Sequence, residues 1–336
     1  LLYVSCFPQL IAGPIVQYSD VAKQIGSRKT TAKDFTRGMQ RFVVGLGKKV
    51  IFANICGLIL RDLPLADAGA MSFGGAWYAG FVYMLQVYFD FSGYSDMAIG
   101  IGRILGFTYK ENFDYPFIAK DVSEYWHRWH ISLSTWFRDY LLYPILRSRG
   151  MRRLSMKKSE RHGRMYYRNL ATMIATTCVW AFTGLWHGAS WNFIVWGLYF
   201  CVLQLLEKFA LGKVREKLPA IARWALNLIL IVVSFVIFYY TDMGLVTRHI
   251  SAMLGVGSAG FIDARSRLVI RTYSFFPLLA FVCSMPIAPM LNRLGRGLLG
   301  SKVFEIVKSV ALSACVALAV LFLVGQSYNP FIYFQF

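Results

Sequence analysis

Three short stretches of this sequence carry side chains able to do acid–base chemistry. The first is Thr183-Gly184-Leu185-Trp186-His187-Gly188-Ala189-Ser190-Trp191-Asn192. His187 is the only charge-capable residue between two long apolar runs, 169–186 and 188–206. Histidine is the side chain best suited to take a proton near neutral pH. An ionisable group in so apolar a setting is costly unless something uses or satisfies it. The plain alternative is an interfacial histidine hydrogen-bonded to a carbonyl. The second stretch is Glu124-Tyr125-Trp126-His127-Arg128-Trp129-His130. Glu124, His127 and His130 are spaced i, i+3, i+6, so they can share a helical face. No HExxH and no clustered cysteines accompany them, so no metal site is expected. The alternative is an interfacial helix with ordinary polar residues on its wet face, His127 among them while His130 reaches inward. The third stretch is Asp90-Phe91-Ser92-Gly93-Tyr94-Ser95-Asp96, ahead of Gly100, Gly102 and Gly106. It suits a helix break with capping residues as well as it suits a site. There is no GxGxxG fingerprint after a strand and no GxSxG, which excludes a dinucleotide site and a soluble-type serine hydrolase.

The elements that must hold these residues are membrane helices. Of 336 residues, 57% are hydrophobic and only 16% charged, against about 25% charged in a soluble domain. The net charge is nevertheless +19. Nucleic-acid binders are basic and polar rather than basic and greasy, so no nucleic-acid partner is expected. Stretches without Asp, Glu, Lys, Arg or His run over 1–19, 68–89, 169–186, 188–206, 224–241, 272–292 and 309–336. Each is near the length of about 20 residues that a helix needs to cross a bilayer. Residues 35–62, interrupted by Lys48 and Lys49, suit a bent or interface-lying helix whose lysines snorkel to headgroups. The Trp-rich, amphipathic segment 125–146 belongs at the membrane–water boundary.

Loop charge sets the orientation. Residues 147–168 hold nine basic residues against Glu160 alone, and 207–223 hold five against two acidic ones. The positive-inside rule puts both loops in the cytoplasm. The chain between them must cross and return, so 169–186 and 188–206 form a hairpin with His187 at its turn. The six cysteines lie in or beside apolar segments without a CxxC pair, as small core residues do. The chain starts at Leu1 inside an apolar run, and one domain over 1–336, lacking N-terminal helices, is expected. No internal repeat or low-complexity tract is evident.

Five motifs, in order, carry a resemblance. They are Phe7-Pro8-Gln9-Leu10-Ile11-Ala12-Gly13-Pro14-Ile15; Tyr88-Phe89-Asp90-Phe91-Ser92-Gly93-Tyr94-Ser95-Asp96; Trp129-His130-Ile131-Ser132-Leu133-Ser134-Thr135-Trp136-Phe137-Arg138-Asp139-Tyr140; Leu185-Trp186-His187-Gly188; and the C-terminal Ser327-Tyr328-Asn329-Pro330-Phe331-Ile332-Tyr333-Phe334-Gln335-Phe336. Together they resemble the membrane-bound O-acyltransferase family, in its bacterial branch of alginate and peptidoglycan O-acetyltransferases. The D-alanyl transferases of teichoic acid modification are a more distant likeness. The resemblance implies an all-α polytopic membrane protein, a ring of tilted helices with interfacial and re-entrant ones, in the bacterial cytoplasmic membrane. It sets the family's near-invariant histidine on His187 and its second histidine on His130.

Acyl transfer from a thioester to a hydroxyl needs a base for the hydroxyl proton and a group to hold the developing oxyanion. His187 is the expected base. His130, Asn192 or a backbone N–H is expected to orient the donor or stabilise charge. Trp186 and Trp191 are expected to wall the site against water. Asp90 and Ser134, from the matching motifs, join them as expected substrate-binding residues. No tightly bound cofactor is expected. The cosubstrate is an acyl thioester, acetyl-CoA or an acyl carrier protein, on the cytoplasmic side. The expected partners are membrane lipid, an extracytoplasmic acetyltransferase protein and a polysaccharide acceptor, an alginate-like exopolysaccharide or peptidoglycan. The competing readings are D-alanyl transfer to teichoic acid, a transporter and a non-catalytic scaffold. A transporter should carry several charged residues within its spans, and the apolar runs counted above have almost none.

Overall fold

The computed structural model describes residues 13–63, 71–158 and 163–324, together with Tyr3, Cys6 and Pro8. The C-terminal motif at 327–336 and most of the first motif lie outside the described residues. In chain order the helices are α1 (Tyr18–Ile25), α2 (Ala32–Gly47), α3 (Asn54–Asp62), α4 (Phe73–Ile104), α5 (Val122–Arg128), α6 (Ile131–Phe137), α7 (Tyr143–Arg147), α8 (Arg149–Met156), α9 (Arg164–His187), α10 (Trp191–Leu206), α11 (Gly212–Glu216), α12 (Ala220–Tyr239), α13 (Met243–Met253), α14 (Ala264–Thr272), α15 (Phe276–Cys283), α16 (Ile287–Leu299) and α17 (Ser301–Val324). No strand occurs among the described residues. Among the described residues, four helical stretches are long and apolar enough to cross a bilayer: Ala32–Asp62, Trp191–Leu211, Ala220–Tyr239 and Ser301–Val324. The pair α14 and α15, bent by 60°, is a broken span or a re-entrant loop. The protein is an all-α polytopic membrane protein.

The chain forms two compact units, Leu1–Phe117 with Arg248–Phe336, and Ile118–Thr247. In the first, α2 and α3 are joined by a π-helical stretch, Lys48–Ala53, so that Ala32–Asp62 is one continuous span. Thr31 caps its start by accepting from the Asp34 N–H at 3.1 Å. The expectation of an interface-lying helix with snorkelling lysines is therefore corrected. Lys49 is buried and pairs with buried Asp90 at 2.5 Å, and Lys48 pairs with Asp96 at 2.7 Å. Opposite charges from α4 neutralise the lysines in place. The same pairs correct two further expectations. Asp90–Asp96 is no helix break, because α4 runs unbroken from Phe73 to Ile104. The helices are also not nearly free of charge. Arg41 joins the group, holding Asp96 at 2.6 Å and, through both guanidinium nitrogens, Glu111 on the loop after α4. The run 272–292 is likewise not one helix. Pro277 opens α15 and Pro286 precedes α16, both positions where a helix begins rather than continues.

The second unit holds α5 to α12. Asp121 caps α5, accepting the Glu124 N–H at 2.6 Å. The expected hairpin is present: α9 and α10 pack against each other, and α12 packs on α10. Small residues let the hairpin's backbones approach. A Cβ on Gly184 would sit 2.4 Å from the Phe193 carbonyl oxygen, and one on Gly197 2.4 Å from the Trp180 oxygen. Between the helices lies an aromatic core, with the Trp126 ring 4.8 Å from Trp180, 5.7 Å from Trp196 and 5.0 Å from Phe200.

Candidate acyl-transfer site

His187 is the last residue of α9. The chain turns immediately behind it at Gly188, whose φ of +151° suits glycine. A Cβ there would also meet the Phe193 ring at 2.9 Å. The turn thus holds the imidazole at the tip of the hairpin, where its ring neighbours are aromatic. Trp186 and Trp196 lie at 4.9 Å, Phe238 at 5.2 Å and Phe193 at 6.2 Å. Phe193, Trp196 and Phe200 follow one face of α10, and Phe238 arrives from the end of α12.

His130 reaches the same place by a different device. α5 ends at Arg128, Trp129 is extended, and His130 takes a left-handed conformation (φ 45°, ψ 52°) before α6 begins. A residue with a Cβ pays roughly 1–2 kcal/mol for that conformation, and such strain collects at functional sites. The His130 ring is buried, 6.1 Å from the Trp186 ring. Trp186 thus lies beside both histidines. The break after α5 also undoes the expected single face of Glu124, His127 and His130. His127 is exposed, its Nδ1 2.6 Å from the Ser123 carbonyl oxygen, while Glu124 accepts from Arg128 and from the Lys120 N–H.

The remaining expected residues divide. Asn192 is fully buried at the start of α10, and its Nδ2 donates to the Phe238 carbonyl at 3.2 Å, tying the hairpin to α12. One of its two amide hydrogens is thereby committed, and its Oδ1 has no partner among the described residues. Asn192 therefore still has an acceptor and a second N–H to offer. Trp186 is 41% exposed beside both histidines, whereas Trp191 is 71% exposed. Ser134 lies on α6, half-buried, and lines a cavity of about 390 Å³. Asp90 belongs to the other unit, in its ion pair with Lys49. The residues that sequence reasoning missed are Phe193, Trp196 and Phe238. The i, i+3 spacing of Phe193 and Trp196 was a visible signal, and Phe238 had none.

The cavity lies alongside the hairpin and is lined by neither His130 nor His187. It is lined by Trp126, Leu133, Thr183, Arg138 and Lys208 besides Ser134. Thr176, Val179, Trp180 and Thr183 line it on successive turns of α9, a path that ends one turn before His187. Lys208 lies just past the far end of α10, so its charge stands at the opposite end of the hairpin. The basic and aromatic lining of the cavity suits an elongated ligand carrying negative charge, and the two imidazoles nearby suit proton transfer.

Comparison with known proteins gives these features a context. The membrane-bound O-acyltransferase family model matches residues 1–157, which include His130. A probable alginate O-acetylase, AlgI, of Pseudomonas putida is 34% identical over 99% of this chain and 68% of its own length. The chain belongs to the membrane-bound O-acyltransferase family. It is an O-acyltransferase. The similarity to the alginate protein continues past the family model through the hairpin that carries His187. The peptidoglycan O-acetyltransferase of Helicobacter pylori is 30% identical over the whole chain and 64% of its own length. The teichoic acid D-alanyltransferase of Bacillus subtilis is 31% identical over 70% of the chain and 58% of its own length.

Proposed function

We propose that this protein is a multi-pass enzyme of the bacterial cytoplasmic membrane. It moves an acetyl-type group from a cytoplasmic thioester to a hydroxyl of an extracytoplasmic polysaccharide, with His187 as general base. The observation that carries this reading is the His187–Trp186–His130 cluster at the tip of the hairpin, one turn beyond a cavity with basic residues at its other end. The positively charged loops favour that basic end as the cytoplasmic one. The donor, acetyl-CoA or an acyl carrier protein, enters there with its phosphates near Arg138 and Lys208.

In the transfer step His187 accepts the hydroxyl proton as the oxygen bonds to the thioester carbonyl carbon. The carbon–sulfur bond then breaks, and the thiolate leaves with the proton that His187 held. His130 orients the donor or holds the carbonyl oxygen as negative charge develops on it. The aromatic rings around His187 limit access of water, which would otherwise hydrolyse the thioester. The relatives' names favour an alginate-like exopolysaccharide or peptidoglycan as the acceptor. An extracytoplasmic acetyltransferase partner is the natural receiver if the acyl group passes through a second protein. D-alanyl transfer to teichoic acid is the second reading, on the likeness to the Bacillus protein.

The test uses the purified protein in vesicles, offered labelled acetyl-CoA and labelled acetyl and D-alanyl carrier proteins in turn. The reading expects an acetyl label to leave its thioester in the wild type and not in His187→Ala. Release of the D-alanyl label alone would replace acetyl by D-alanyl. Equal release by wild type and variant would remove His187 from the chemistry.

A further inference from the structure

The wall of the cavity has a second face. α6, a π-helical stretch at Arg138–Leu142 and α7 follow without a break from Ile131 to Arg147. Ile131, Leu133, Ser134, Phe137 and Leu142 line the cavity. Trp136, Tyr140 and Tyr143, from the same helical stretch, are exposed. The Trp136 and Tyr140 rings lie 5.4 Å apart, and the Arg147 guanidinium sits 5.5 Å from the Tyr143 ring centre. Ser148 then caps α8, its Oγ accepting the Met151 N–H at 3.3 Å. α8 packs along α9, with Met151 and Leu154 half-buried and Arg149, Arg152 and Arg153 exposed. Lys157 follows, its ammonium 5.3 Å from the Tyr167 ring centre. Among the described residues none of Arg147, Arg149, Arg152 and Arg153 forms an ion pair, and Asp139, the nearest acid on their N-terminal side, is held by Arg138 at 3.0 Å.

We propose that this surface binds anionic phospholipid of the bilayer, and that the bound lipid steadies the cavity wall on the other face of the same helical stretch. The regulatory half of the proposal rests on the cavity being the donor route. Exposed tryptophan and tyrosine rings followed by uncompensated arginines match the two layers of a membrane interface. The rings suit the glycerol level and the arginines suit the charged headgroups. An acidic carrier protein would answer the arginines but would leave the row of exposed rings unexplained. A bilayer answers both.

The experiment extracts the full chain from vesicles holding equal amounts of phosphatidylglycerol and phosphatidylcholine, and counts retained lipids by native mass spectrometry. The wild type is expected to retain phosphatidylglycerol preferentially. Each arginine changed in the series Arg149→Gln, Arg152→Gln and Arg153→Gln is expected to lower that preference by roughly fivefold, with unchanged thermal unfolding. The double change Trp136→Ser/Tyr140→Ser is expected to lower retention of both lipids. Equal retention of the two lipids by the wild type overturns the proposal, as does a preference that survives the triple change. These counts need no turnover, so they stand even if the proposed reaction fails. In a second arm, phosphatidylglycerol is expected to lower the donor KM of the wild type and not that of the triple variant. A wild-type KM indifferent to phosphatidylglycerol overturns the regulatory half. A triple-variant KM raised equally with and without phosphatidylglycerol assigns the surface to an acidic carrier and overturns the lipid.

Discussion

The two units treat their buried ionisable groups in opposite ways. In the unit built around α2 and α4, the buried lysine, the buried aspartates and the buried histidine are matched within the unit. Lys49 meets Asp90, Lys48 and Arg41 share Asp96, and buried His249 sits 3.0 Å from the Ala76 carbonyl oxygen. That last contact is the plain, carbonyl-bonded histidine considered as an alternative for His187. In the unit built around the hairpin, His187 is ringed by Trp186, Phe193, Trp196 and Phe238 rather than by carboxylates. A matched charge inside a membrane protein holds helices together. An imidazole left among rings suits the proton transfer proposed for His187.

The largest effect that would break this contrast is on turnover. His187→Ala is expected to reduce acyl transfer by roughly 10²–10⁴-fold at unchanged expression, the usual weight of a positioned base. His130→Gly sharpens the point. Glycine accepts the left-handed backbone at 130, so folding should be kept or improved while donor consumption falls steeply. If His130→Gly retains full turnover, His130 is structural and the contrast narrows to His187 alone.

Next comes the paired unit. Lys49→Met or Asp90→Asn singly leaves a buried partner uncompensated and is expected to cost about 3–5 kcal/mol, seen as loss of folded protein in detergent. The double change Lys49→Met/Asp90→Leu should recover most of that loss. Recovery of folding together with wild-type turnover would mark the pair as structural. Recovery of folding without turnover would place Asp90 back among the substrate-binding residues.

A smaller effect belongs to the hairpin. Gly197→Val forces a branched side chain against the Trp180 carbonyl and should push α10 from α9, costing about 1–3 kcal/mol as overpacking does. Near-infrared or fluorescence melting would read it, and no shift would mean the crossing is looser than 2.4 Å implies.

The smallest is a pH effect at the start of α14. Burial raises the Asp263 pKa, but hydrogen bonds from Ser266 and Ser72 outweigh it and bring the carboxyl down to about 2. Its folded value lies below its unfolded one. Its contribution is therefore complete above the ordinary carboxylate range and fades as pH falls toward about 2. Asp263→Asn should flatten the acid side of the stability profile between those limits, and an unchanged profile would count against the cap.

Much of the hairpin unit was legible in sequence because its signals are local. An uncharged run on each side of His187 and two basic loops suffice to draw α9 and α10. The aromatic spacing of Phe193 and Trp196 was there to be seen as well. The other unit hid its order because its signals are paired over distance. Lys48 and Lys49 look like a break in an apolar helix until Asp96 and Asp90, more than 40 positions away, are brought beside them. The same contact explains why Asp90–Asp96 resembled a helix break when it is the middle of α4. Left-handed His130 was equally hidden, since a strained backbone conformation leaves no mark in residue type when the residue is not glycine. Asn192 was found by its position beside the turn, yet the commitment of its amide to Phe238 depends on α12 and could not be read from the motif.

The central claim is that the hairpin unit does the chemistry while the paired unit holds structure. Single-turnover release of acetyl from a labelled thioester, measured in vesicles at matched folded protein, tests it most directly. The comparison is between His187→Ala and Lys49→Met/Asp90→Leu. The account predicts that the first abolishes release and the second preserves it. Release that survives His187→Ala, or vanishes with the neutralised pair, would contradict it.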